Sequence, residues 1–548
     1  MRRHYEYMLR DAEKRAKKSL RLQVMEKENT QKYGGFVDAK GIVQPKFAIY
    51  RMVTMAAVYM NEECCYYKDE TMFERILLAL DYIEREQRDN GTFDLVDCNF
   101  FSGPDTAFCV KRLMPLFDYV RKHPEAPGAI EIEDRVRRIV YRGAQGMVNG
   151  GFHTPNHRWA IASNLLKCYS IFGDPQFKEA AEKYLAEGID CTSEGEYAER
   201  SAGNYNRINN DAMITIAEIT GDEKYYEYAE ANLNMMLTYI EPDDSIFTNN
   251  STRQDRGVKI YPRDYYYEYL LMGYRRKNET FLAAANYIMD LNVRKNHFPD
   301  FLINFMSQPE LVDVEYDKKG IATSYNRFYK ESEIVRARNE EYSYTILNHS
   351  SNFVYFQHGD LTVSVKIGAS LCEHRAFKSE TMEKTEHGYH LQQTMHGWYY
   401  LPFGEYQGTV DWWKMDNTKR EKLHGPDLNF DVQVDEVEDG LDIHIKALGI
   451  DRAPIRVELA FDADSRVQSG SFALEGTAGN YIVAKDGYVT VTKGDYAIEA
   501  GPAFGTHEFV AGKFGSEGRN PHCFTVYFTD STCFERTISL RAKGGLIY

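Results

Sequence analysis

The sequence predicts an α+β protein of two segregated domains, a helical one over residues 1–325 and an antiparallel β-sandwich over 326–548. Three observations predict it. Apolar residues recur with helical period, in repeated hairpins, through the first part of the chain. Period-two runs replace them afterwards. The length, 548 residues, exceeds what one hydrophobic core organises.

The helical repeat is explicit in one pair of segments. Phe172-Gly173-Asp174 leading to Phe177, Ala181 and Leu185 matches Thr220-Gly221-Asp222 leading to Tyr225, Ala229 and Leu233. In each, the glycine closes one helix and the aspartate caps the next, so Gly-Asp is a tight helix–helix turn. The aromatic, Ala and Leu at i, i+4 and i+8 make one buried stripe. Looser copies begin at Asn278 and Asp69. Longer polar loops carrying Gly and an aromatic fall between the pairs: Gly34-Gly35-Phe36, Asn90-Gly91-Thr92-Phe93, Gly150-Gly151-Phe152 and Gly195-Glu196-Tyr197. Short turns on one rim and long polar loops on the other describe an α/α toroid or solenoid with its cleft at the long-loop rim. After about residue 325 the runs Leu361–Ile367, Leu441–Lys446, Ile455–Leu459 and Tyr488–Thr492 alternate, with turn residues between them.

Composition narrows the function classes. Hydrophobic residues make up 43%, charged residues 27%, and the formal net charge is −16, which argues against nucleic acid or an anionic membrane as a general partner. No apolar run reaches the ~18 residues of a membrane span. The nine cysteines have no metal-ligand spacing, so no cofactor or metal is expected. The charged amphipathic start, Met1-Arg2-Arg3 through Lys17-Lys18, lacks an apolar signal core, from which a cytoplasmic location and a short imported substrate are expected.

The chemistry is expected at the long-loop rim, because loops held on a rigid scaffold carry function. The stretch Glu194–Asp211 places Tyr205 between Arg200 and Arg207, with Asn209 beyond. Asn156-His157-Arg158-Trp159 lies one repeat earlier, and Arg253 through Arg256 to Arg263 one repeat later. In the second domain, Glu380 and Glu383 precede Gly388-Tyr389-His390, Trp398 and the Thr409–Lys414 run. All four tryptophans, Trp159, Trp398, Trp412 and Trp413, fall in these stretches, and each suits either sugar stacking or an interface anchor.

These stretches resemble motifs of polysaccharide lyase family 8, the hyaluronate, chondroitin AC and xanthan lyases. Glu194–Asn206 is similar to that family's tyrosine loop, Arg256–Arg263 to its arginine motif, and Gly388–Trp413 to its Gly-Tyr … Asp-Trp run. Glu380 and Asn156 occupy the places of a family glutamate and asparagine. The resemblance spans roughly 145–425 in ordered patches. It departs at Arg200, where the family has its histidine, and at Asn209, where its tyrosine would fall. Glu199–Tyr205 is closer to the heparinase II/III-like lyases. The resemblance implies an incomplete (α/α) toroid followed by a super-sandwich, and cleavage of a uronate-containing glycan by β-elimination.

In that reading Asn156, with Arg200 or Arg256, neutralises the uronate carboxylate. Tyr205 or His157 removes the C5 proton, and Tyr205 returns one to the leaving oxygen. Arg256 and Glu380 orient the tyrosine; Arg200, Arg207, Arg263, Trp159, Trp398 and Asn209 bind substrate. Two rivals share the residues. A glycoside hydrolase would pair Asp105 with Glu194, Glu199 or Asp211, and a uronate C5-epimerase would return the proton to the opposite face.

Overall fold

A computed structural model describes residues 1–317, 319–510 and 517–544; the expected second domain thus includes residues, 511–516 and 545–548, that lie outside the described ones. The chain divides into two compact units, 1–240 with 244–322, and 241–243 with 323–548.

The first unit is helical. Five hairpins follow one another: α2 (Pro45–Met60) with α3 (Glu70–Glu86), α4 (Gly103–Lys122) with α5 (Ala129–Val148), α6 (Pro155–Phe172) with α7 (Pro175–Leu185), α8 (Tyr205–Thr220) with α9 (Glu223–Leu237), and α10 (Tyr266–Arg276) with α11 (Glu279–Lys295). Helices α2, α4, α6, α8 and α10 pack on one another in chain order, each backed by its hairpin partner. These five helices are the more deeply buried members of their hairpins: α2 buries all but four of its sixteen residues, as a helix packed on several sides must. An additional helix, α1 (Arg2–Leu22), packs on α2 and also reaches the last hairpin, where His4 bonds Tyr266 and Asn286 at 3.2 Å each.

The Gly-Asp turns form as the repeat predicts. Gly173 and Gly221 close α6 and α8 in the left-handed conformation, and the Asp174 and Asp222 carboxylates accept from Gln176 N–H and Lys224 N–H. The Gly-aromatic loops are anchored differently. Their aromatics Phe36, Phe93 and Tyr197 are plugged fully into the core. Beside Tyr197, Gly195 has φ +100° and lies so close to α9 that a β-carbon there would stand 2.3 Å from the Ala231 carbonyl carbon.

Among the described residues the second unit has two nine-stranded sheets and a small pair, Trp398–Tyr400 with Lys422–His424. In one, the central order is Tyr496–Gly501, Phe534–Gly544, Gly440–Gly449, Leu428–Val437, Gly388–Met395; in the other, Cys523–Ser531, Pro454–Asp462, Leu361–Leu371, Asn352–His358, Tyr342–Leu347. Neighbours are antiparallel except Tyr481–Val483 beside Cys523–Ser531 among the described residues. Alternation sorts the faces: Leu428, Phe430, Val432 and Val434 point inward, and with Val363, Val365, Val457 and Leu459 of the other sheet they belong to one apolar core. Arg336 is fully buried in this unit and pairs with Glu241 at 2.9 Å.

Gly195→Ala is expected to cost on the order of 3 kcal/mol, since both φ and the clash with α9 oppose it. Gly151→Ala, which meets open space, is expected to stay within about 0.5 kcal/mol of wild type. Urea unfolding of the two variants checks the contrast.

Candidate active site

Two long loops of the helical unit make the site. One, 186–204, leads into α8; the other, 238–265, leads towards α10. Both are polar and glycine-containing, so neither continues a helix, and each must satisfy its backbone through partners. They satisfy one another. The buried Asp255 carboxylate accepts from Ser201 Oγ (2.9 Å), Gly203 N–H (2.9 Å) and Ser251 Oγ (2.6 Å). The Glu199 carbonyl accepts from Thr252 N–H and Oγ1 at 3.2 and 2.9 Å. Tyr265 Oη donates to the Ala202 carbonyl at 2.6 Å.

This docking sets Tyr205 at the first turn of α8, half-buried, with its backbone N–H on Ser201 Oγ at 3.1 Å. Its hydroxyl donates to Gln254 at 3.3 Å, and the Arg253 guanidinium lies over its ring, 5.2 Å from the centroid. Arg253 also pairs with Glu199 at 3.2 Å. The Glu199 carboxylate, 5% exposed, receives the Asn156 side-chain amide at 2.8 and 3.0 Å and its backbone N–H at 3.3 Å. Burial pushes the Glu199 carboxyl up, against the pull of Asn156 and Arg253.

Next to Asn156, His157 is half-buried at the start of α6, edge-on to Phe108 of α4. Its Nδ1 is buried without a partner, and no side-chain hydrogen bond engages the ring among the described residues. Burial pushes it down to about 4; the Asp105 carboxylate opposes the shift, while His153, Arg253 and Lys46 add to it. The ring is therefore a neutral imidazole at pH 7, an unencumbered base. Below it, Asp105 is buried and held by Ser102 Oγ (2.8 Å), Asn99 Nδ2 (3.2 Å) and Lys46 Nζ (3.5 Å).

The structure thus links Asn156 to Tyr205 through Glu199 and Arg253, while His157 follows Asn156 on α6 and feels the Arg253 charge. It relocates other expectations. Arg256, expected beside the tyrosine, is exposed, and Arg253, at the other end of the turn closed by Arg256 N–H on the Arg253 carbonyl (3.1 Å), takes that place. Asn156 is fully buried with its amide hydrogens on Glu199 and Thr154, so it braces Glu199 rather than meeting a substrate carboxylate. Trp159 is fully buried, packed on Tyr197, and cannot stack on a sugar. Arg263 is engaged by both oxygens of Asp264, at 2.8 and 2.7 Å, and by His297. Arg200, at φ +49°, pairs with Glu196 at 3.3 Å. Arg207 is half-buried in the field of Asp264, Glu268 and Asp211. Asn209 is fully buried on α8, with neither amide atom partnered among the described residues.

Glu380 and Trp398 belong to the second unit. Glu380 lines an open recess of about 500 Å³ with Gln392, Thr394, Asn429 and Asp431. Trp398 lies under Lys422 Nζ at 4.2 Å. Sequence reasoning missed Lys46 and the role of Arg253; the second stood inside a motif already singled out, the first had no local signal. Among the described residues no group of three or more His, Cys, Asp or Glu is placed to hold a metal ion, and no helix is long and apolar enough to cross a membrane.

His157 should titrate near 4 in an NMR pH series, and a midpoint near its ordinary 6.5 would overturn the burial account. Because folding lowers this pKa, the stability it contributes is present above pH 6.5 and is lost as pH falls towards 4. Asp255→Ala orphans three donors and is expected to cost about 2–3 kcal/mol, read by thermal unfolding.

No protein-family model matches the chain, and no curated protein matches it in sequence. Solved structures do. A Streptomyces coelicolor chondroitin AC lyase in complex with chondroitin sulphate superposes with TM-score 0.54 at 9% identity, covering 98% of this chain and 79% of that one. A Paenibacillus xanthan lyase gives TM-score 0.53 at 10% identity, with 99% and 56% covered. A heparan sulfate lyase mutant from Pedobacter heparinus gives 0.51 at 10%, with 91% and 76%. The chain has the fold of the polysaccharide lyases.

Proposed function

We propose that the protein is a polysaccharide lyase that cleaves a uronate-containing glycan by β-elimination, on an incomplete (α/α) toroid followed by a super-sandwich. The observation that carries the reading is the contact chain on this fold: a phenol under a guanidinium that leans on Glu199, itself held by Asn156, the residue before a neutral histidine.

β-Elimination needs the uronate carboxylate neutralised, because its charge suppresses C5 acidity. Arg253 is suited to this. Its side chain is partly exposed and its Nε lies 3.2 Å from Glu199, and a planar guanidinium fork can take a carboxylate. His157 takes the C5 proton as a neutral base. The electron pair forms the C4–C5 double bond, the C4–O bond breaks, and Tyr205 gives its hydroxyl proton to the departing oxygen. Fixed donors facing the enolate-like intermediate supply the main electrostatic stabilisation.

The neighbours are by name lyases of chondroitin, heparan sulfate and xanthan, all acidic polysaccharides, which supports an anionic glycan here. A hydrolase would need a protonated carboxyl facing the sugar. Asp105 and Glu199 are both buried and already bonded to several donors.

Incubation with a panel of uronate oligosaccharides should generate the ultraviolet absorbance of a conjugated double bond. Cleavage without absorbance would mean hydrolysis, and solvent deuterium uptake without cleavage would mean epimerisation. Tyr205→Phe and His157→Ala should each lower kcat by about 10²-fold or more, with Tm nearly unchanged. Near-wild-type turnover in either variant removes that residue from the mechanism.

A further inference from the structure

Two cations lie near His157, and they are held alike. Arg253 is over the Tyr205 ring and Lys46 over the Phe108 ring, each 5.2 Å from the centroid. Phe108 in turn packs edge-on against His157, with ring centroids 6.0 Å apart. Each cation leans on a buried carboxylate, Arg253 on Glu199 at 3.2 Å and Lys46 on Asp105 at 3.5 Å, and each side chain is close to 30% exposed.

Neither carboxylate depends on its cation. Glu199 keeps the side-chain and backbone N–H groups of Asn156. Asp105 keeps Ser102 Oγ and Asn99 Nδ2. A buried carboxylate that lost its only partner would oppose the departure strongly. Here Lys46 can swing to an incoming anion and leave Asp105 hydrogen-bonded. The contrast is with Arg158, whose fork is fastened to Glu187, Asp190 and the Gly188 carbonyl at 2.6–3.0 Å. Such a side chain is structural; Lys46, on a flexible stem at a long distance, is poised.

One uronate carboxylate engages one cation. We propose that Lys46 reads a second anionic group, a sulfate ester or carboxylate on the sugar adjoining the cleaved uronate, so that the preferred substrate is a glycan charged on neighbouring residues. The inference rests on the lyase reading of the same site and adds Lys46 as its specificity-determining residue.

The test compares matched oligosaccharides that differ only by that second group. One carries an added sulfate, one an added carboxylate, and one neither. Wild type should prefer a doubly charged substrate in kcat/KM by about ten- to a hundred-fold, the range of a charge-assisted contact. Lys46→Met should collapse that ratio towards one, and Lys46→Arg should restore most of it. The arm that loses its advantage identifies which anion is read. Asp105→Asn, which removes only the resting partner, should keep the preference. A ratio unchanged in Lys46→Met overturns the proposal, as does an equal loss in Lys46→Met and Asp105→Asn, which would mark the pair as structural. Should no uronate glycan yield the conjugated product, the lyase reading fails separately. The same ratio, taken from calorimetric binding constants, still decides whether Lys46 recognises the second charge.

Discussion

The site depends on one buried carboxylate. Asp255 gathers Ser201, Gly203 and Ser251 and thereby welds two loops that are some fifty residues apart in sequence. Three donors converging on one ionised acceptor form a strong local lock, since charge-assisted bonds exceed neutral ones and shed little to solvent when buried. Tyr205, Arg253 and Glu199 come from the two loops so joined. Gly203 belongs to the same constraint: a β-carbon there would meet Asp255 Oδ2 at 2.9 Å and Ile260 at 2.7 Å.

Around that lock the electrostatics are arranged so that charge is available without being exposed at large. Glu199 and Asp105 are buried acceptors, each already bonded to neutral donors, and the cations resting on them are their more exposed partners. His157 is kept neutral by burial and by the cations near it. In an acidic protein, net −16, the field at His157 is set by the charges within a few ångströms rather than by net charge.

Several particulars show how far the sequence was legible. The Gly-Asp hairpin turns at Gly173-Asp174 and Gly221-Asp222 were readable because capping is local, decided within four residues. The alternation of Leu441–Lys446 was readable for the same reason: it is a property of one strand. Tyr205, His157 and Asn156 stood out as polar aromatic or amide residues in stretches expected to be loops, and the structure puts them instead in the first turns of α8 and α6. The choice of Arg256 over Arg253 failed because both lie in one charged run, at the two ends of a turn that is bonded to another loop. Trp159 failed because helical spacing does not say which face of α6 meets Tyr197. Lys46 gave no signal, since its partners Asp105 and Phe108 are about sixty residues away.

The sequence by itself determined the helical hairpins, the later alternating strands, the acidic balance of the chain, and the stretches in which chemistry was to be sought. Each follows from periodicity, capping or charge, which act over a turn or a strand. Only the tertiary structure decided that Asn156 is a brace, that Arg253 rather than Arg256 attends the tyrosine, and that His157 is an uncharged imidazole in the field of Arg253 and Lys46. Those assignments turn on burial and on contacts between distant segments, and burial is what sets the ionisation and the freedom of a side chain.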